Sequence, residues 1–328
     1  MDGLILAGDV GGTKTHLGLF QQSAGVLTLV REHRYATAQF ASLESVCTGF
    51  VGASAAVNAA CLGVPGPIID GNAHATNIPW ELSSVSLSRA LNGVPVRLLN
   101  DLTAIAYGMV HLEPAEFTVL HRAENPPAHG NIAVIAAGTG LGESALIWEG
   151  GKYYAVASEG GHSDFAPRGE EQIGLLRFLV GEFEHVSYER VLSGPGLWNI
   201  YRFLRRESGA EEPAWLSAQI ATGDASAAVS EAAIAGSDPV CVHALSMFCE
   251  IYGSEAANLA LKVLALGGVY LGGGIAPKIL PMLTDGVFAK GFLAKGRLNE
   301  ILRRIEVRVS LNPAAGLLGA AHYAAAML

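Results

Sequence analysis

The stretch Leu4-Ile5-Leu6-Ala7-Gly8-Asp9-Val10-Gly11-Gly12-Thr13-Lys14-Thr15-His16-Leu17-Gly18-Leu19-Phe20 decides how this chain folds. Leu4–Ala7 is apolar, Gly8–Thr13 is a glycine turn carrying a carboxylate and a hydroxyl, and Thr15–Phe20 alternates. Period-two alternation after a turn predicts a β-hairpin. The plan returns at Asn131. There Ile132–Ala137 is an apolar strand, Gly138-Thr139-Gly140-Leu141-Gly142 a second glycine turn, and Ser144–Trp148 and Tyr153–Val156 read as further strands. Two such units, roughly 130 residues apart, predict a weak duplication of whole lobes.

Working outward, helix and strand interleave. The pattern predicts a helix over 42–60, strand Cys61–Val64, a Pro-Gly-Pro turn and a strand-turn region reaching Asn77. A helix over Glu81–Leu91, strand Val96–Leu99 and helix Leu102–Leu112 follow. The second unit continues into helices near Glu170–Glu182, Pro195–Arg206 and Val240–Leu264, then strand Val269–Leu271, the turn Gly272-Gly273-Gly274 and a helix containing Pro277. The Ala-rich segment Asn312–Leu328 predicts a closing helix able to pack back across the first lobe. Such interleaving implies an α/β fold with sheets covered on both faces. A chain of 328 residues suits two lobes. The expected division is a small lobe of residues 1–112 with 313–328, and a large lobe of 113–312.

Half of the residues are hydrophobic and 16% are charged, enough for large cores. The net charge of −9, without clustered Lys and Arg, argues against nucleic acid. Cys47, Cys61, Cys241 and Cys249 show no CxxC or metal-ligand spacing, so a reduced cytosolic chain is expected. The most apolar stretch, Ala256–Ala276, holds Asn258, Lys262 and five glycines, so no clean membrane span exists there. With no basic n-region and Asp9 interrupting the first apolar run, a signal peptide is not expected.

Three glycine turns follow apolar strands: Gly8–Thr13, Gly138–Gly142 and Gly272–Gly274. Backbone N–H groups hold phosphate oxygens, and glycine lets the chain approach them closely. Each turn alone also reads as an ordinary hairpin; their joint pattern favours phosphate. Asp9 would repel a nucleotide unless a divalent cation lay between them, and Mg²⁺ needs few carboxylates. It also fits a turn residue bonding its own backbone. Asn100-Asp101, between a strand and an apolar helix, suits an N-cap as well as a catalytic carboxylate. The two roles coexist if Asn100 or Thr103 caps and Asp101 faces the cleft.

Gly8-Asp9-Val10-Gly11-Gly12-Thr13, Leu99-Asn100-Asp101, Gly138-Thr139-Gly140-Leu141-Gly142, Ser158-Glu159-Gly160-Gly161-His162 and Tyr188-Glu189-Arg190-Val191-Leu192-Ser193-Gly194-Pro195 together resemble the bacterial glucokinases. These belong to the sugar kinase, heat-shock ATPase and actin superfamily. The resemblance spans nearly the whole chain. It implies a two-lobed ASKHA fold, ribonuclease H-like and of the actin/hexokinase type, with the nucleotide cleft between lobes that close over ATP–Mg²⁺ and glucose. It further implies a homodimer. Many members carry asparagine where Lys14 follows Thr13.

By that resemblance Asp101 is the general base toward the 6-hydroxyl of glucose, and Asn100, Asp101, Glu159, His162 and Glu189 touch the sugar. Gly8, Asp9, Val10, Gly11, Gly12, Thr13, Gly138, Thr139, Gly272 and Gly273 meet the nucleotide, with Asp9 toward the metal. The polar set suits hydroxyls, each offering one donor and two acceptor sites. Glu159 and His162 also read as a metal pair or as loop polarity, but no third ligand lies nearby in sequence. A carboxylate at a helix N-terminus is a weak base, sufficient where phosphoryl transfer is loose. Rival readings are a kinase for mannose or N-acetylglucosamine, and a non-enzymatic sugar sensor or chaperone-like ATPase on the same lobes.

Overall fold

The structure is a computed structural model, described here for residues 3–52, 56–74, 78 and 80–328. The chain divides into two compact units. One comprises residues 1–116, 155–157 and 312–328, and the other 117–154 and 158–311.

The first unit holds a five-stranded sheet of β1 (Gly3–Val10), β2 (Lys14–Ser23), β3 (Val26–Ala36), β4 (Ala59–Val64) and, beyond three two-residue strands β5 (Ile68–Ile69), β6 (Asn72–Ala73) and β7 (Leu82–Ser83), β8 (Val96–Asn100). Its order is β3-β2-β1-β4-β8. The predicted hairpin pairs Leu6 with Leu19 and Asp9 with His16, and β4 and β8 then run parallel to it. Alternate side chains go to opposite faces of a strand. Accordingly Leu6, Leu17, Leu62 and Leu98 pack on Val46 and Phe50 of helix α1 (Leu43–Val51) and on Leu87 of α2 (Ser84–Ala90). Ile5, Ala7, Cys61 and Leu99 pack instead on Ala104 of α3 (Asp101–Met109) and on Leu317 and Ala320 of the C-terminal helix Ala315–Ala325. That helix meets α3 backbone to backbone: a Cβ on Gly108 would lie 1.8 Å from Ala315 O, and one on Gly319 would lie 1.8 Å from Ala104 O.

The second sheet holds β9 (Phe117–His121), β10 (Ile132–Ala137), β11 (Leu141–Glu149), β12 (Lys152–Ser158), β13 (Gly268–Gly272) and β14 (Val307–Ser310). Its order, β12-β11-β10-β13-β14-β9, repeats the first sheet strand for strand and adds β9 at the edge. The helices are α4 (Gly169–Val180), α5 (Gly194–Ser208), α6 (Ala214–Thr222), α7 (Ala225–Ile234), α8 (Pro239–Val263), α9 (Leu280–Leu283), α10 (Val287–Leu293) and α11 (Asn299–Leu302). Ile135, Leu271 and Val309 of the sheet bury against Leu245, Phe248 and Ile251 of α8. Its Tyr252 hydroxyl accepts from Ala137 N at 3.3 Å, tying that helix to β10. Among the described residues no single helix is long and apolar enough to cross a membrane.

Several sequence expectations need correction. The helix predicted over 42–60 stops at Val51, because Gly52 turns the backbone to φ +75°, and strand β4 already begins at Ala59. Pro277 lies in a run of turns, and helix resumes only at Leu280. Part of the strand-turn region reaching Asn77 falls outside the described residues. Strand β3 escaped prediction because most of it is exposed, including Val26, Leu29 and Val30.

Two glycines should respond to enlargement with opposite signs. Gly319→Val drives a side chain into the Ala104 carbonyl and should cost about 3 kcal/mol or more, the upper range for overpacking. Gly49→Ala, on an exposed helical site with open space around its Cβ, should stabilise by about 0.5–1 kcal/mol. Urea unfolding of both variants measures this; equal shifts would contradict the close helix contact.

Candidate active site

In the first unit, β8 ends and α3 begins at the Asn100-Asp101 step. Asn100 Oδ1 accepts from Leu102 N at 3.0 Å and Thr103 N at 3.3 Å, so Asn100 is the N-cap. Its Nδ2 donates to Gly66 O at 3.3 Å, locking the cap to the loop after β4. The cap leaves Asp101 at the first helical position, half-buried, with Oδ1 accepting from Leu102 N at 2.8 Å. Capping and a carboxylate fixed at the helix start therefore fall to different residues.

Asp9 sits one residue before the end of β1, with the first turn of the C-terminal helix against it. A Cβ on Gly316 would come within 3.3 Å of Asp9 Oδ2. Burial raises the Asp9 carboxyl above its ordinary range, opposed by the nearby His16 and Arg34 charges. The turn itself is narrower than the motif suggests. Gly8, Asp9 and Val10 are strand residues, and a Cβ on Gly8 would strike Leu62 and Leu17. Only Gly11-Gly12-Thr13 turns, closed by Gly11 N donating to Lys14 O at 2.9 Å and by Thr37 Oγ1 donating to Gly11 O at 2.7 Å.

In the second unit, three separated motifs meet. Glu189, in the short 3-10 turn 188–190, accepts from Leu141 N in the second glycine turn at 3.1 Å. Its other oxygen stands 4.0 Å from His162 Nδ1. That turn is itself held by Gly138 N donating to Gly140 O and by Gly194 N donating to Gly138 O, while Thr139 is exposed. A Cβ on Gly140 would come 2.5 Å from Glu189 Oε2, so only glycine lets the carboxylate settle there. Glu159 precedes and His162 ends a 3-10 turn pressed onto β11: a Cβ on Gly161 would fall 2.0 Å from Leu141 O, and one on Gly160 2.1 Å from Glu143 Oε2. Glu159 and His162 are exposed, and Glu189 is half-buried. His162 and Glu189 line a pocket of about 260 Å³ with Phe183 and His185, enough for one small polar ligand. Gly272 closes β13 and Gly273 takes φ +78° just beyond it.

The glucokinase family profile matches residues 6–327. A glucokinase from Synechocystis sp. is 41% identical over 346 aligned residues, covering 98% of this chain and 97% of its own. One from Nostoc sp. is 39% identical, covering 98% and 99%. The chain belongs to the glucokinase family. The crystal structure of a glucokinase from an Antarctic psychrotroph superposes with a TM-score of 0.86 at 31% identity, covering 98% and 99% of the two chains. A ROK family glucokinase from Streptomyces griseus, solved in complex with glucose and AMPPNP, has a TM-score of 0.68 at 25% identity and covers 99% and 100%. The glucokinase fold thus accounts for both units, and the family reaction is ATP-dependent phosphorylation of glucose.

Sequence reasoning missed Glu143, which is 1% exposed beneath Gly160. Its only signal was a carboxylate inside an otherwise apolar strand run.

Asn100→Ala should lower stability by about 1 kcal/mol, the usual cost of an N-cap. Asn100→Asp should retain most of it. Denaturant midpoints of the two variants decide the matter, and equal midpoints would remove the capping role.

Proposed function

We propose that this glucokinase-family enzyme uses Asp101 as the general base toward the 6-hydroxyl of glucose, with Asn100, Glu159, His162 and Glu189 holding the sugar's hydroxyls. The observation that carries this reading is the convergence of Glu189 on both the Leu141 amide and the His162 ring. An acceptor anchored at one oxygen keeps its other oxygen oriented, and an adjacent imidazole can donate or accept. Once a sugar covers such groups, an analogue lacking a hydroxyl leaves its partner unpaired and is rejected.

In the transfer, the 6-hydroxyl oxygen bonds to the γ-phosphorus, the bond to the ADP oxygen breaks, and Asp101 takes the hydroxyl proton. In a loose transition state that proton leaves late, so position matters more than basicity. The Asn100 cap supplies the position. Gly12, Thr13 and Thr139 are the turn residues best placed to meet phosphate. Gly8 and Val10 support them from within the strand, and Gly272 and Gly273 are assigned to the adenosine side.

Mg²⁺ would neutralise charge on the phosphate oxygens. The chain fits it at Asp9: a desolvated carboxyl beside a tight glycine turn favours a cation nearby. The enzyme is further proposed to be a cytosolic homodimer with no nucleic-acid partner. Its four cysteines are buried and free.

ATP-coupled phosphorylation across a hexose panel tests the reading. Glucose should be preferred, and Asp101→Asn should lose about 10²–10⁴ in kcat while still binding glucose, the usual share of a positioned base. Undiminished turnover would remove Asp101 from the mechanism. Asp9→Asn should raise the Mg²⁺ concentration needed for half-maximal rate, and an unchanged Mg²⁺ titration would exclude Asp9 as the ligand.

A further inference from the structure

Directly beneath the Glu159–His162 turn, the core of the second unit contains two carboxyl groups, Glu143 on β11 and Glu255 on α8, 1% and 0% exposed. Two bare carboxylates in an apolar core are prohibitively costly, so such a pair survives by sharing a proton. The surroundings show which partner holds the charge. Glu255 Oε2 accepts from Asn258 Nδ2 at 2.7 Å, and its Oε1 lies 3.6 Å from Lys262 Nζ. Glu143 has one oxygen against Gly160, and its other oxygen, like Glu255 Oε1, has no hydrogen-bond partner; only Glu255 has a cation and an amide donor beside it. The network runs on. Asn258 Nδ2 also donates to the Tyr188 hydroxyl at 3.0 Å, and Lys295 Nζ donates to Ser254 Oγ and Asn258 Oδ1. Tyr188 immediately precedes Glu189.

We propose that Glu143 is a positioning residue for the sugar site: as a neutral acid beside the buried Glu255 carboxylate, it forms the floor on which Gly160 rests and so sets the reach of Glu159 and His162. This rests on the assignment of Glu159, His162 and Glu189 to glucose. Both sugar-facing segments stand on one network, the 159–162 turn through Glu143 and Glu189 through Tyr188 and Asn258.

Burial and the Glu255 charge push the Glu143 carboxyl up to about 8, opposed by Lys262. The charged or titratable groups facing the pair are Lys262 and Tyr252 on α8, Tyr188, and Lys295 after α10, itself held down by burial and by Arg168. The unfolded chain releases this proton near the ordinary 4.5, whereas the native pair keeps it to about 8. The contribution of Glu143 to stability is therefore fullest below the lower value and is lost as pH rises through that window. The native geometry changes only beyond the upper value, when a second negative charge appears beside Glu255 and pushes Glu143 against Gly160.

The test is the pH profile of glucose and ATP kinetics between about pH 6 and 9.5, where one unit past the transition leaves about a tenth of the acid form. Wild type should show glucose KM rising about fivefold or more above pH 8, with ATP KM flat. Glu143→Gln copies the neutral acid. It should keep the neutral-pH glucose KM within about twofold and abolish the alkaline rise. Glu143→Ala should raise glucose KM about tenfold at every pH; if it fails to fold, the glutamine variant decides. An alkaline rise that persists in Glu143→Gln, or that affects ATP KM equally, overturns the role of Glu143. His162→Ala serves as the separate control: it should raise glucose KM while retaining the wild-type alkaline transition. If His162→Ala and Glu189→Ala both leave glucose KM unchanged, the sugar-site assignment fails, and the positioning role falls with it.

Discussion

The hydrogen bond from Leu141 N to Glu189 Oε2 brings together segments nearly fifty residues apart. It joins the second glycine turn to the 188–190 turn, and the remaining Glu189 oxygen then faces His162. The bond forms only because Gly140 leaves room for the carboxylate and Gly161 leaves room for the Leu141 carbonyl. Backbone close approach is thus the controlling constraint in this unit. A methyl group at either glycine would push apart the groups assigned to the sugar.

The first unit applies the same constraint to another end. Gly108 and Gly319 let α3 and the C-terminal helix touch backbone to backbone, and Gly316 lets that helix reach Asp9. Asp101 starts α3, so the helix contact, the Asn100 cap and the strand β8 behind it together fix the proposed base. A carboxylate positioned by three rigid elements needs little intrinsic basicity, because a loose phosphoryl transfer demands its proton late. The repeated strand order of the two sheets explains how one chain supplies two such platforms: each has a glycine turn at the end of its first hairpin strand.

Much of this was legible in the sequence. Apolar runs ending in glycine marked β1, β10 and β13, since a strand buried on both faces has no polar alternation to dilute the signal. Asn100-Asp101 was visible as a helix start, although both residues suit that role and local sequence does not divide cap from base. Strand β3 was illegible because its faces are mostly solvated, so its pairing with β2, not its composition, makes it a strand. The helix over 42–60 was overextended because its alanines and valines suit either state, and only the backbone at Gly52 ends it.

The sequence by itself determined the α/β class, the two hairpin platforms and the identity of the polar residues available to a sugar and a nucleotide. These are properties of local pattern and residue chemistry. Only the tertiary structure decided which of them touch. It assigned the cap to Asn100 and left Asp101 its own place, confined the first turn to Gly11-Gly12-Thr13, and set Glu143 and Glu255 together beneath Gly160. The cap and the turn depend on bonds to Gly66 and Thr37 from other segments, the carboxyl pair on a contact across more than a hundred residues of chain, and a buried carboxyl is indistinguishable from a solvated one until its neighbours have folded around it.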